Sequence, residues 1–300
     1  MMRIGVVGLG NMGRNHVRIF SNIKECNLTA ISDINAEIAK NIGNQYGVES
    51  FTDYKLMINK IDAVSIAVPT SLHYEIASFF IKNGIHCFIE KPITKTIEEA
   101  KELIKLAEKY GVKLMVGHIE RFNPAVIKMK EIIDKEMLGK ILVINARRVE
   151  PFPPKNIDTG IIIDLAIHDI DILRYVYGKE PLKVYSKYGS IKSNYEDYAV
   201  ILLDFDEGVG CIETNWFTPH KIRTIVVTGT EGILFLDYIE QSIVIYNSQW
   251  KIEPKINKEE PLKLELEHFI KCIKENKEPI TSGEEGLKNL MVAYRALENK

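Results

Sequence analysis

The sequence predicts two fold classes in succession: an α/β region built on a doubly wound parallel sheet, then an α+β region built on an open antiparallel sheet. Three observations carry this. The first third alternates Val/Ile-rich runs with helix-patterned segments, a glycine-rich turn follows the first run at once, and after about residue 120 the β runs succeed one another without intervening helices. Strand, helix, strand at short spacing makes βαβ units, whereas consecutive strands joined by turns make an antiparallel sheet. A chain of 300 residues has room for both, read as domains 1–119 and 120–300.

The runs Arg3–Val7, Leu28–Ser32, Ala63–Ala67, Ile85–Ile89 and Lys113–Val116 are almost continuously apolar. Strands buried on both faces have that pattern. Helical patterning fills Asn11–Ile23, Ala36–Tyr46, Ser71–Asn83 and Thr96–Tyr110, and Gly84 and Gly111 fall where two of these helices stop. A helix follows over Pro124–Glu136, its proline at a tolerated first-turn position. Next come a strand over Ile141–Val149, a loop at Pro151–Pro154 and a helix near Ile162–Tyr177. The later β runs are Val184–Ser190, Tyr198–Phe205, Val209–Phe217, Arg223–Thr228, Ile233–Asp237 and Ser242–Tyr246. Asp206-Glu207-Gly208 reads as a hairpin turn. Helical segments over Leu262–Glu275 and Gly283–Asn299 close the chain.

Composition narrows the function classes. Apolar residues make up 46 % and charged residues 27 %, and the net charge is −2 with no basic stripe. That argues against nucleic acid or an anionic membrane as a partner. No apolar run is long enough for a membrane-spanning helix, and the first residues lack the flanks of a secretory signal. Cys26, Cys87, Cys211 and Cys272 are scattered with no CxxC spacing. They read as buried thiols in a reducing cytoplasm, with neither a disulfide framework nor a metal site.

Gly8-Leu9-Gly10-Asn11-Met12-Gly13 fits GxGxxG, directly after a strand and opening a helix. In that context the first glycine allows a tight turn, the second lets the backbone approach a pyrophosphate, and the third lets the helix pack on the strand. A diphosphate then meets unpaired N–H groups at the positive end of the helix dipole. Asp33, about 20 residues beyond Gly13, stands where a carboxylate accepts the adenosine ribose hydroxyls. A 2′-phosphate there would meet repulsion of roughly 4 kcal/mol per unit charge at ~4 Å and an effective dielectric near 20. The expected cofactor is therefore NAD, held by a Rossmann domain.

Glu90-Lys91-Pro92 follows a parallel strand, at the sheet edge where α/β folds bind ligands. A lysine beside the nicotinamide end could polarise or deprotonate a substrate hydroxyl. In Asp164-Leu-Ala-Ile-His168-Asp-Ile-Asp171, spacings of four and three put Asp164, His168 and Asp171 on one helix face. Carboxylates one turn either side of a histidine can fix its tautomer and support its cation.

These motifs together resemble the Gfo/Idh/MocA family of sugar and cyclitol dehydrogenases. Glu90-Lys91-Pro92, Asp164-x-x-x-His168-x-x-Asp171 and the turn Ala67-Val68-Pro69-Thr70 with His73 carry the likeness, which covers essentially the whole chain. It implies hydride transfer between a secondary hydroxyl and a nicotinamide cofactor, with assembly into homodimers or homotetramers through the antiparallel sheet. Lys91 and His168 are then the acid/base candidates, and Asp164 positions substrate hydroxyls. Val68, Pro69, His73, Glu90 and Lys91 join the glycine turn, Asn11, Met12 and Asp33 around the cofactor. Where family members have several glycines before the aspartate, only Gly160 stands ahead of Ile161-Ile162-Ile163 here.

Gly117-His118-Ile119-Glu120-Arg121-Phe122-Asn123-Pro124 and the stretch Pro151–Asp171 resemble the branch that oxidises the 3-hydroxyl of UDP-N-acetylglucosamine. That reading enlists Arg121, Asn123 and Arg148 for a nucleotide-sugar substrate, because the arginine fork suits phosphate. Arg147 and Arg148 point to opposite faces of a strand, so at most one faces the ligand. Phe152 and Trp216 are candidate platforms for a base, and His73, His118 and His220 read as structural from the residues alone. Dehydrogenases of a free sugar, an inositol or a UDP-hexuronate remain alternatives. A non-catalytic dinucleotide sensor is an alternative of another class, although it would need none of Lys91, Asp164 and His168.

Overall fold

The computed structural model describes residues 1–152 and 159–298. These divide into two compact units, 1–118 with 262–288, and 119–152 and 159–261 with 289–298.

The first unit is a six-stranded parallel sheet. In chain order it runs β1 (Met2–Val7), α1 (Asn11–Phe20), β2 (Cys26–Ser32), α2 (Ala36–Tyr46), β3 (Glu49–Phe51), β4 (Ala63–Ile66), α3 (His73–Lys82), β5 (His86–Glu90), α4 (Ile97–Tyr110) and β6 (Leu114–Gly117). The sheet order is β3-β2-β1-β4-β5-β6. The strand order reverses between β1 and β4, and such a switch point leaves a crevice beyond the carboxyl ends of those strands. Ile4, Val6, Ala63, Val64, Ile66, Phe88 and Ile89 are wholly buried, as strands covered on both faces require. Local signals set the helix ends. Asn35 caps α2 through Glu37 and Ile38 N–H, Thr96 and Glu99 form a reciprocal capping box on α4, and Gly111 ends α4 in the left-handed region. β3 was not expected; Glu49-Ser50-Phe51 has no apolar run, and its strand character comes from parallel pairing to Ala30–Ser32.

The second unit opens with α5 (Pro124–Asp134), β7 (Ile141–Pro151) and a helical segment that starts as a π turn (Ile162–Ala166) and continues as α6 (Ile167–Tyr177). Then come β8 (Lys183–Gly189), β9 (Tyr198–Asp204), β10 (Val209–Asn215), β11 (Phe217–Gly229), β12 (Ile233–Asp237), β13 (Ser242–Tyr246) and β14 (Lys251–Ile252). The last helices are α7 (Pro261–Glu275) and α8 (Gly283–Glu298). Pro153 and Pro154 of the loop expected at Pro151–Pro154 fall outside the described residues, as does Asp158 of the stretch Pro151–Asp171; Pro151 itself ends β7.

The second sheet is largely antiparallel, as expected, and two details are added here. The eight-stranded sheet, β14-β13-β12-β11-β7-β10-β9-β8, is mixed: β7 and β10 pair in parallel while the other neighbours are antiparallel. β11 returns along the far side of β7, so β10, on the near side, runs the same way as β7. Strand pattern alone does not reveal such an insertion. The domain boundary at 119/120 also needs amending, because 262–288 belongs with the first unit. Phe269 of α7 packs edge-on against Phe88, with ring centroids 5.8 Å apart, and Val116 N–H donates to Thr281 O at 2.8 Å. The sequence shows that α7 has an apolar face but not which sheet it covers.

Register defines the two faces of the mixed sheet. Directly paired residues share a face, and Val184, Leu203, Gly210, Ile144, Val227, Leu234 and Ile245 form a buried row across it. One residue along, Tyr185, Leu202, Cys211, Asn145, Val226, Phe235 and Val244 form the opposite row, in which Tyr185, Leu202 and Phe235 are exposed.

Candidate active site

The glycine turn is built as its spacing predicts. Gly8 sits at φ +87°, and a Cβ there would stand 2.5 Å from Ala67 O; at Gly13 a Cβ would stand 1.7 Å from Gly8 O. Both positions need glycine for α1 to lie against the strand end. Gly10 is different, because nothing lies within 4 Å of where its Cβ would be. That open space is on the side a pyrophosphate approaches. Gly10 gives α1 no side-chain cap, and no acidic residue stands in the helix's first turn, where Asn11 and Met12 are exposed.

Asp33 completes this cradle. Its Oδ2 accepts Leu9 N–H at 2.7 Å and its Oδ1 accepts Asn35 N–H at 2.9 Å, so the carboxylate is fixed while staying half-buried. Each oxygen retains a lone pair for a ribose hydroxyl. A cleft of about 460 Å³ lies here, lined by Gly8, Gly10, Asp33, Asp53, Val68 and Pro69 among others. The residues present thus fit a dinucleotide: glycine turn and helix end for the diphosphate, and a carboxylate for the ribose. Asp53 and Tyr54, whose hydroxyl donates to Glu75 Oε1 at 3.0 Å, line the same cleft and were not anticipated.

At the end of β5, Glu90 and Lys91 part company. The Glu90 carboxylate lies 3.0 Å from Nε2 of fully buried His16, whose Nδ1 is 2.6 Å from Ser65 Oγ. Burial would push the Glu90 carboxyl up; the hydrogen bond and charge of His16, with Lys91 and His73 nearby, outweigh it and hold it below the usual carboxylate range. Glu90 therefore belongs to a buried Ser65–His16–Glu90 chain rather than to the cleft lining. Ser65 was the missed signal, a hydroxyl inside an otherwise apolar strand. His73, expected to contact cofactor, is 1 % exposed, its ring set between Pro92 O (2.9 Å) and Val68 O (3.0 Å). It ties the Val68-Pro69 turn to the segment after Lys91, and burial pushes its pKa down against those carbonyls. Lys91 itself is half-buried, at the carboxyl end of β5 in the first unit.

In the second unit the π turn and α6 present two residues. From Ile161 to Arg174, only Asp164 and His168 are not buried. Asp171, expected beside them, is 1 % exposed and accepts Arg121 Nε at 2.9 Å, Arg121 Nη2 at 2.6 Å and Asn289 Nδ2 at 2.6 Å. The expectation for the substrate arginines is corrected on the same grounds. Arg121 is engaged with Asp171; Arg148, 1 % exposed, donates to Asp169 Oδ2 at 2.8 Å and Glu120 Oε1 at 2.8 Å, with Tyr238 under its guanidinium. Asn123 is buried as the cap of α5, accepting Ala125 N–H at 3.0 Å and donating to Tyr238 O at 3.1 Å. These groups neutralise one another and are not presented to a phosphate. Arg147 does point to the opposite face, where it pairs with Glu213 at 3.0 Å. Trp216 is 2 % exposed with Phe152 edge-on to it, so it is a core ring and not a base platform.

With this geometry in place, the comparisons are decisive for family. Residues 2–118 match the Gfo/Idh/MocA oxidoreductase family, NAD-binding Rossmann fold, and residues 126–235 match the Gfo/Idh/MocA C-terminal domain. The chain belongs to the Gfo/Idh/MocA oxidoreductases. Its first unit is accordingly an NAD-binding Rossmann domain. Among Gfo/Idh/MocA members it is similar to the UDP-N-acetylglucosamine 3-dehydrogenase of Acidithiobacillus ferrooxidans, at 28 % identity over 98 % of this chain and 96 % of that one. It is also similar to the NAD(+)-dependent scyllo-inositol 2-dehydrogenase of Bacillus subtilis, at 32 % identity over 98 % and 93 %. The myo-inositol 2-dehydrogenase of Thermotoga maritima matches at 30 % over 98 % and 95 %. A solved structure of the Acidithiobacillus enzyme superposes with a TM-score of 0.93 at 28 % identity, covering 99 % of this chain and 97 % of that one.

Two predictions follow from these sites. Asp33→Ala removes the carboxylate facing the adenosine ribose and should erode the preference for NADH over NADPH, read as the ratio of their dissociation constants by nucleotide fluorescence. Arg148→Met leaves Asp169 and Glu120 buried without their cation and should cost about 3–5 kcal/mol of stability in urea unfolding. Replacing Asp169 with Leu in the same chain should recover part of that loss.

Proposed function

We propose that this oxidoreductase uses NAD to oxidise the 3-hydroxyl of UDP-N-acetylglucosamine to the 3-keto sugar nucleotide, which an aminotransferase then consumes on the way to a diamino sugar. The observation that supports this most is the end-to-end likeness to a UDP-N-acetylglucosamine 3-dehydrogenase, in sequence and in a TM-score of 0.93. Bound NAD supplies the hydride acceptor. The hydroxyl proton passes to Lys91 or His168 as general base. Asp164 accepts a hydrogen bond from a neighbouring hydroxyl and so fixes the sugar's orientation, for which a reacting distance of about 3–3.5 Å is needed. A side chain poised to take a proton has no use in a redox sensor, so Lys91, Asp164 and His168 favour an enzyme.

A second reading, an inositol dehydrogenase, is favoured by one specific observation. Arg121 and Arg148, the cations expected for a diphosphate, are held in buried ion pairs, and a cyclitol needs no such cation. The inositol relatives are also as similar as the sugar-nucleotide one.

We further propose a homodimer or homotetramer formed through the open sheet, in the cytoplasm. The exposed apolar row containing Tyr185, Leu202 and Phe235, with Val200 alongside, supports an interface on that face. No helix among the described residues is long and apolar enough to cross a membrane. The described cysteines are free, as in a reducing compartment.

Absorbance at 340 nm with NAD and UDP-N-acetylglucosamine, including an aminotransferase to draw off the ketone, should rise, and scyllo- or myo-inositol should give much less. The opposite order would select the cyclitol reading. Lys91→Ala should lower turnover by about 10²–10⁴-fold while NADH affinity and unfolding midpoint stay close to the parent; near-parental turnover would take Lys91 out of the chemistry. Leu202→Glu should reduce the mass measured by light scattering to that of a smaller assembly.

A further inference from the structure

The π turn that carries Asp164 is an unusual register, and such turns persist where something outside the helix supports them. Here the support comes from a loop distant in sequence. Glu196 is 8 % exposed; its backbone carbonyl accepts Ile161 N–H at 2.9 Å and its Oε1 accepts Ile162 N–H at 3.2 Å. These are among the N-terminal donors that a helix cannot satisfy internally. At the other end of the turn, Ile167 N–H reaches back to Ile162 O. A Cβ on Gly160 would stand 2.0 Å from the Glu196 carboxyl atoms, so glycine at 160 makes the room that Glu196 fills.

The loop holding Glu196 is itself anchored. Asp197, fully buried, accepts the N–H groups of Ile191 (2.9 Å), Lys192 (2.6 Å) and Ser193 (3.3 Å). Its backbone joins Gly189 O and Trp216 N–H. The backbone that carries Glu196 is therefore held in place beside the π turn.

We propose that Glu196 is a positioning residue: it props the π turn and thereby sets the angle between Asp164 and His168. This rests on the roles given to those two residues above. Burial pushes the Glu196 carboxyl up, backbone donors oppose it, and the Asp197 charge adds to it. An oxygen acceptor, rather than a full negative charge, is what the turn uses, so glutamine can replace it.

The test compares Glu196→Ala, Glu196→Leu, Glu196→Gln, Gly160→Ala and the double variant Gly160→Ala/Glu196→Ala. Turnover and KM are measured on the substrate that the wild-type protein oxidises, and amide hydrogen exchange over 161–168 is measured without substrate. Ala and Leu at 196 should lower kcat by about 10²-fold, while Gln stays within about threefold of wild type. Exchange should accelerate about tenfold on loss of one supporting bond. Gly160→Ala keeps every polar group yet displaces Glu196, so it should resemble Glu196→Ala, and the double variant should be no worse than either single one. Additive losses, or a Gln variant as slow as Ala with an altered pH profile, would show the charge acting directly and overturn the proposal. Unchanged exchange in folded Ala and Leu variants would overturn it whatever the turnover. Faster exchange with unaltered turnover would uphold the prop and remove instead the roles given to Asp164 and His168.

Discussion

The nucleotide-binding half depends on one contact that an added methyl group would forbid. The α carbon of Gly13 lies so close to the Gly8 carbonyl that no side chain fits between them. That closeness brings the start of α1 to the end of β1, with its N–H groups uncapped and open space beside Gly10. The helix dipole and free donors then favour an anion there. Asp33 locks the arrangement from β2 by accepting Leu9 N–H. Strand order, glycine spacing and one carboxylate thus converge on a single pyrophosphate cradle.

The second unit solves a different problem, which is to pair the acidic groups that α6 carries inward with buried guanidinium groups. Asp169 and Asp171 closely follow His168 in sequence but are each matched by a buried guanidinium, Arg148 and Arg121. Such pairs give little net stability compared with apolar packing, but losing one partner is costly. Their effect is selective: once those carboxylates are paired, Asp164 and His168 are the two positions of the segment left partly open. Polarity in a sequence motif therefore does not equal availability to a ligand.

Much of this was legible in the sequence, for physical reasons that vary by element. β1, β2, β4, β5 and β6, with α2, β12 and β13, follow from apolar periodicity and local caps, which act within a few residues. The glycine turn and Asp33 were readable because each residue type answers a local steric or electrostatic demand. Arg121, Arg148 and Asp171 were misjudged because ion pairing joins residues 21 to 50 positions apart, and a single sequence carries no trace of it. β3 and β14 were missed because their strand character comes from a neighbour. The Ser65–His16–Glu90 chain and the Glu196 contact share that origin, being long-range pairings of polar groups with nothing periodic to announce them.

The placement of α7 has a bearing on how the molecule comes into being. β6 gains a further partner from Thr281 and Ser282, and Phe88 is covered by Phe269. A ribosome delivers the cradle residues long before these covering segments. Until they emerge, the nascent sheet has an open apolar flank. A product that stops short of residue 262 would present that flank to chaperones and proteases.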